Sequence, residues 1–280
     1  MTSEHRSDAG PLPGETADPA LTSALAAAHR AADAARPAIL SLFRAEGLAA
    51  ENKAGPGAFD PVTEADRAAE AAIREVLASE RPADGVLGEE AAATASTSGL
   101  TWVVDPIDGT RAFLVGAPTW GVLIGLNDGT RPVLGVMDQP WTRERFWGDG
   151  AAAWHARDGE APRRLRARAP VPLCEARLCS TFPEVGTEAE RAAFEQVRDR
   201  VRLTRYGLDC TGYALVAAGG VDLVMEAGLQ AYDIQAHIPI IEGAGGVVTT
   251  WDGGDPQQGG RILAAANAQI HAEALAILNA

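Results

Sequence analysis

The sequence has few cysteines, little positive charge and no long apolar run, and each shortage closes off a class of protein. Its three cysteines, Cys174, Cys179 and Cys210, are odd in number and form no C-x-x-C pair, which argues against a disulfide framework or a zinc site. No apolar stretch approaches the ~20 residues that a bilayer-spanning helix needs. The opening residues, MTSEHRSDAGPLPGETADPA, lack the apolar centre of a signal peptide. The expected setting is therefore cytoplasmic, with residues 1–19 as a disordered tail. Lys and Arg number 24 against 38 Asp and Glu, a formal charge of −14, whereas a nucleic-acid partner calls for a basic footprint. There is no internal repeat and no G-x-x-x-x-G-K-[ST] loop.

What is present is an ordinary globular composition, 46% apolar over 280 residues, enough for one large domain or two lobes. Leu21, Leu25, Ala28, Ala32 and Ala35 recur at helical spacing, with Pro37 positioned to bend or divide the helix. A Gly/Pro loop follows at 53–60. A second helix is expected over 64–79, turning Ala69, Ala72, Ile73, Val76 and Leu77 inward. Thr63 is its N-cap candidate and Asp66 sits at capping-box spacing. Strands are expected at 85–88, 102–104, 120–126, 133–137 and 145–147, with the turn Asn127-Asp-Gly-Thr130 joining two of them. A lobe boundary falls within the arginine-rich stretch 151–170, giving lobes of 20–150 and 151–280. The second lobe alternates: strands at 177–180, 222–225, 246–250 and 262–265, and helices at 188–200, 211–218, 233–243 and from 267. The order indicates an α+β fold rather than a purely parallel α/β one.

Acids stand beside special backbone chemistry in four places: Asp66 in PVTEAD, Glu89 and Glu90 in VLGEE, Asp105 and Asp108 in DPIDGT, and Asp233 in AYDIQA. Glu89 and Asp105 each follow a strand-like run and so emerge at strand ends, where sites tend to be built. Pro106 turns the chain away from the ladder, folding Asp105 and Asp108 toward one point beside the Ile107 carbonyl. Hard oxygen donors of this kind suit Mg²⁺ completed by a substrate phosphate. Gly109-Thr110 then opens a short helix whose free N–H groups form an anion seat. Metal-binding acids followed at once by an anion seat is the requirement of a phosphate-hydrolysing site. An EF-hand fails on spacing, since Ile107 and Gly109 fall where acids are needed. A D-x-D phosphatase motif fails because Pro106 falls at the nucleophile's place. Taken alone, Asp66 reads better as a helix cap and GEE better as a solvated turn, while Asp233 can cap a helix N-terminus as well as bind metal.

The motifs GEE (88–90), DPIDGT (105–110) and YDIQAHIPIIEGAGG (232–246), in that order, resemble the inositol monophosphatase-like family of Mg²⁺-dependent phosphatases, from about Ala20 to the C-terminus. The resemblance implies a layered αβαβα sandwich of the inositol monophosphatase / fructose-1,6-bisphosphatase type, often homodimeric, with two or three Mg²⁺ ions per site. It makes Glu89, Asp105, the Ile107 carbonyl, Asp108 and Asp233 metal ligands. Asp66 and Thr110 become the pair that orients the attacking water, with Glu90 behind them. Gly109, Thr110, Arg111, Asp209, Cys210 and Glu226 become substrate contacts. DPIDGT continued by Arg111-Ala112-Phe113, together with DPVTEADRAAE (60–70), VLGVMDQPWTRERFWG (133–148) and IPIIEGAGGVVT (238–249), is most similar to the histidinol-phosphate phosphatase branch of histidine biosynthesis. His237 departs from that branch, where an apolar residue is expected. The same-family alternative is a phosphatase of inositol 1-phosphate or of another sugar or nucleotide phosphate. A non-catalytic cation- or phosphate-binding protein is the alternative of a different class. Cys210 lacks a His neighbour in sequence that would activate it as a nucleophile.

Overall fold

The computed structural model describes Gly14, Thr16 and residues 18–52 and 61–280, the side chains of Pro61 and Val62 excepted. The expected tail, apart from Gly14, Thr16, Asp18 and Pro19, and the Gly/Pro loop at 53–60 lie outside the described residues. Helix α1 (Pro19–Leu42) is capped by Asp18, whose Oδ1 accepts from the Ala20 N–H at 2.8 Å. Its inward face is mostly alanine (Ala24, Ala27, Ala28, Ala31, Ala32, Ala35) and is fully buried. Small side chains allow a close approach to the second helix. Pro37 neither ends nor divides α1. Pro37 and Asp33 both lie on the exposed face, so water can bond the Asp33 carbonyl that proline leaves unserved. The pair β1 (Glu51–Asn52) and β2 (Pro61–Val62) leads into α2 (Glu64–Glu80). Thr63 and Asp66 form the reciprocal capping box that their spacing predicts.

A seven-stranded sheet follows: β3 (Gly85–Gly88), β4 (Thr101–Asp108), β5 (Gly121–Asn127), β6 (Pro132–Gln139), β7 (Glu144–Gly148), β8 (Ala153–Arg157) and β9 (Arg163–Arg164), in that spatial order. Only β3 and β4 are parallel. Helix α3 (Thr110–Val115) sits between β4 and β5. By strand pairing this sheet reaches Arg164, within the stretch 151–170 where the lobe boundary is expected. The β8 strand escapes sequence reading because its five residues carry one buried histidine among arginine-rich neighbours. Trp147 on β7 donates its Nε1–H to the Gly14 carbonyl at 3.0 Å.

The second sheet has the order β11-β10-β12-β14-β13. Its strands are β10 (Arg177–Ser180), β11 (Leu203–Tyr206), β12 (Leu223–Leu229), β13 (Val247–Thr250) and β14 (Gly260–Ala265). Helices α4 (Glu188–Arg198), α5 (Cys210–Ala217), α6 (Ala231–Ile234), α7 (His237–Gly243) and α8 (Ala268–Leu278) complete the chain. The single helix expected over 233–243 is two, because Pro239 has no N–H for the Gln235 carbonyl.

Three apolar clusters define the layers. The first packs α1 and α2 on one face of the seven-stranded sheet. The second fills the space between the two sheets with α5 and α7. The third sets α4 and α8 on the far face of the second sheet. The result is the layered αβαβα arrangement of an α+β fold. Its centre is drawn tight by glycine. A Cβ on Gly135 of β6 would stand 1.9 Å from the Ala236 carbonyl oxygen, and one on Gly125 of β5 3.1 Å from the Ala236 nitrogen. Two strands without side chains at these points let the α6–α7 junction lie directly on the first sheet, next to the end of β4.

Candidate active site

The end of β4 bends at Pro106. Asp105 pairs with Leu123 and Asp108 with Gly121, so three steps on β4 match two on β5. That is a bulge of one residue. Pro106 therefore interrupts the register without ending the strand, and the Asp105 Oδ1 closes the bend by accepting from the Ile107 N–H at 3.0 Å. The bulge brings both carboxylates toward one side, where Asp233 meets them from the start of α6. Carboxylate oxygens of Asp105, Asp108 and Asp233 all lie within 4.8 Å of one another. The Ile107 side chain is fully buried. Its carbonyl accepts from the Thr110 Oγ1–H at 3.1 Å, which orients the hydroxyl that the family resemblance implies for catalysis.

Three acids so close cannot all ionise cheaply in a dry setting. Burial, then Glu89, Asp108 and Asp233, push Asp105 well above the usual carboxylate range. Burial, then Asp233 and Asp209, do the same to Asp108. Asp233 is raised to about 7, chiefly by burial and against the pull of its bond from the Gln230 N–H at 2.7 Å. That bond is the helix-capping role expected of Asp233. Glu89 stands just beyond β3, close enough to be the leading charged influence on Asp105, though outside the tight group of three.

Asp66 is 1% exposed. Its Oδ2 accepts from the Thr63 N–H at 2.8 Å and the Thr63 hydroxyl at 2.6 Å. Its Oδ1 is buried without a partner. Burial raises its pKa, with Glu90 adding to the rise. One oxygen caps the helix while the other is available, so the two readings of Asp66 are compatible. The donor set fits a hard divalent cation: crowded carboxylates, a backbone carbonyl beside them and an orphaned carboxylate oxygen nearby. His237 stays out of it. The ring is fully buried, stacks on Tyr213 at 4.8 Å and is held near pKa 3 by burial.

Opposite the acids a cleft of about 180 Å³ is lined by Gly109, Thr110, Arg111, Thr181, Phe182 and Asp209, among others. Gly109 has φ 85°, and a Cβ there would come within 2.9 Å of Asp209, so glycine is required on both counts. Asp209 is itself left-handed at φ 46°, a conformation costing a non-glycine residue on the order of 1–3 kcal/mol. The Thr119 hydroxyl donates to its Oδ2 at 2.8 Å, and burial raises its pKa. The Cys210 N–H donates to Asp108 Oδ2 at 2.7 Å, tying the second sheet's helix to the acid cluster. The Cys210 thiol is buried and pushed well up, by burial first and Asp108 second, which keeps it protonated. Glu226 has both oxygens engaged, one by Thr181 and the other by the Tyr213 hydroxyl at 2.9 Å. Of the expected site residues, Asp108, Gly109, Thr110, Arg111, Asp209, Cys210, Glu226 and Asp233 line this cleft; Asp105 joins Asp108 and Asp233 in the acid cluster, Glu89 and Asp66 act on it by charge, and Glu90 acts on Asp66.

Two residues escaped the sequence reading. Glu70, 1% exposed, accepts from the Glu90 N–H at 2.7 Å and the Ala91 N–H at 3.1 Å, and from Arg74 Nε at 2.7 Å. It holds the GEE loop in place. The available signal was an acid on the inward stripe of α2, four residues after Asp66. Phe182, 44% exposed at the cleft mouth, has no sequence signal at all.

The sequence matches the inositol monophosphatase family over residues 20–280. The chain belongs to that family. It is 39% identical to a histidinol-phosphatase of Mycobacterium tuberculosis over 223 residues, 79% of this chain and 85% of that one. It is 36% identical to an inositol-1-monophosphatase of Caulobacter vibrioides, over 89% of this chain and 99% of the relative. Among solved structures, an inositol monophosphatase from Zymomonas mobilis superposes with a TM-score of 0.81 at 37% identity, covering 94% of this chain and all of that one. The protein is thus a phosphatase of a metal-dependent family.

Proposed function

We propose that this chain is a Mg²⁺-dependent phosphomonoesterase whose principal substrate is L-histidinol phosphate, cleaved to L-histidinol and phosphate in histidine biosynthesis. The observation carrying the reading is the Asp105–Asp108–Asp233 cluster, with Asp105 buried and the other two opening into a cleft whose wall carries the conformationally strained acid Asp209. Asp105, Asp108, Asp233 and Glu89, with the Ile107 carbonyl, are the residues to hold Mg²⁺. When bound, the ion supplies positive charge to the phosphate and to the oxygens that gain negative charge during transfer. The chain does the rest. The Gly109 and Thr110 N–H groups seat the phosphate. The Thr110 hydroxyl, oriented by Ile107, and the free Oδ1 of Asp66, supported by Glu90, position a water molecule and hold its proton. The water oxygen bonds to phosphorus as the bond to the alcohol oxygen breaks, and the proton passes to the alcohol. A protonated Cys210 offers no nucleophile, in keeping with direct attack by water.

The acidic far wall suits a substrate with an ammonium or imidazole group. Asp209 is better placed than Glu226 to receive it, since both Glu226 oxygens are already engaged. Inositol 1-phosphate is the second reading, favoured by the Caulobacter and Zymomonas relatives. Phosphate release from the two esters, compared as kcat/KM with Mg²⁺, separates them, and a preference for inositol 1-phosphate sinks the histidinol reading. Asp105→Asn is expected to abolish turnover of either ester while far-UV circular dichroism is retained. Full activity in that variant, or after divalent metal is stripped, refutes the site assignment.

A further inference from the structure

The mouth of the cleft holds an arrangement that the phosphate chemistry does not use. Phe182 lies just past β10, on the second sheet's side, and turns a ring 44% exposed toward the cleft. Over that ring sits the guanidinium of Arg111, with Cζ 4.9 Å from the centroid, within the range of a cation–π contact. Arg111 comes from α3, so the contact joins the two sheets across the opening. Its charge also reaches Asp209 on the cleft wall, where it offsets part of the rise that burial imposes. A planar cation therefore rests on an aromatic face beside a half-buried, strained carboxylate.

We propose that Phe182 and Asp209 form a subsite for a planar or ammonium cation on the alcohol part of the substrate, and that Arg111 fills this subsite in the present structure. The ring and the carboxylate are complementary to an imidazolium or an ammonium in the same way that they are to a guanidinium. An incoming cationic ester displaces Arg111 from the ring and leaves it free to turn toward the phosphate, beside the Gly109 and Thr110 N–H groups. A neutral polyol ester gains nothing from the ring. Phe182 thus discriminates between substrate classes without touching the reacting atoms. The inference rests on the histidinol reading for its named substrate, but the subsite is measurable without it.

The test compares Phe182→Leu, which keeps apolar bulk and removes the π face, with Phe182→Tyr, which keeps the face. Because the ligand takes the place of Arg111 on the ring, both variants are made in an Arg111→Met background, where the ratio of kcat/KM for histidinol phosphate to that for inositol 1-phosphate is expected to fall about two- to fivefold in Phe182→Leu, the size of a cation–π contact at an exposed ring. The fall should appear in KM, and Phe182→Tyr should restore it. Calorimetric binding of histidinol itself reads the subsite without turnover and should weaken by a similar factor in Phe182→Leu and in Asp209→Asn. A ratio and a histidinol affinity left unchanged by Phe182→Leu in the Arg111→Met background overturn the subsite. A wild-type enzyme that prefers inositol 1-phosphate, yet loses histidinol affinity in Phe182→Leu, overturns the substrate reading and leaves the subsite standing.

Discussion

Removing divalent metal should make the stability of this protein fall as pH rises through neutrality, and Asp233 sets the scale. Its carboxyl titrates near 3.8 when unperturbed and near 7 in the folded chain. Between those values the folded state binds the proton and the unfolded state has lost it. The folded state is therefore favoured below the lower value, and the advantage drains away as pH climbs to the higher one. The full shift of about three units corresponds to about 4 kcal/mol. Between pH 5 and pH 8 the loss from Asp233 alone is about 2–3 kcal/mol. Asp105 and Asp108 are raised as well, so they act in the same direction. Bound Mg²⁺ should flatten the dependence by keeping the carboxylates ionised. The assay is urea denaturation of the EDTA-treated protein at pH 5 and 8, with and without Mg²⁺, beside Asp233→Asn. The substitution keeps an acceptor for the Gln230 N–H and removes the charge, so at pH 8 it should stabilise the metal-free protein. A metal-free stability that stays flat from pH 5 to 8, or an Asp233→Asn variant equally destabilised at both, refutes the electrostatic reasoning.

Three further outcomes follow from residues that are not themselves proposed metal ligands. Glu70→Gln leaves one of the Glu90 and Ala91 N–H groups without its carboxylate partner. It should weaken Mg²⁺ affinity, read by titration calorimetry, more than it changes the melting temperature; unaltered affinity would remove Glu70 from the positioning role. A Cβ at position 88 would stand 2.2 Å from Glu70 Oε1, so Gly88→Ala should displace the same loop and lower kcat/KM at least tenfold, and wild-type kinetics would contradict it. His237 buries two ring nitrogens without partners, at a cost of about 1–3 kcal/mol per unsatisfied group. His237→Leu should accordingly raise the denaturation midpoint, offset in part by lost stacking on Tyr213; a clear drop in the midpoint would mean that the ring is satisfied in solution.

Local pattern made much of this protein legible. Apolar residues at helical spacing gave α1 and α2, and Thr63 with Asp66 gave the capping box, because both depend only on neighbours within a turn or two. The strands of the first sheet up to β7 stand out as runs of buried β-formers. The acids in PVTEAD, GEE, DPIDGT and AYDIQA were identifiable because a glycine, proline or cap beside each marks a special backbone. The misses share one cause: their form comes from distant partners. The β11 strand alternates exposed arginine and leucine and is a strand only because β10 supplies its bonds. The β9 strand, two arginines long, is defined by β8 in the same way.

The sequence by itself marked the acids proposed to carry the chemistry, since oxygen donors beside glycine, proline and cap residues at those spacings are written in the covalent chain. Only the tertiary structure decided that Asp105, Asp108 and Asp233 meet, with Asp233 brought to Asp105 by the close contact of Ala236 with Gly125 and Gly135. It also decided that Asp209 is strained, that Glu70 holds the GEE loop, and that Phe182 and Arg111 meet across the opening. These are long-range contacts between residues far apart in the chain, and no local periodicity encodes them.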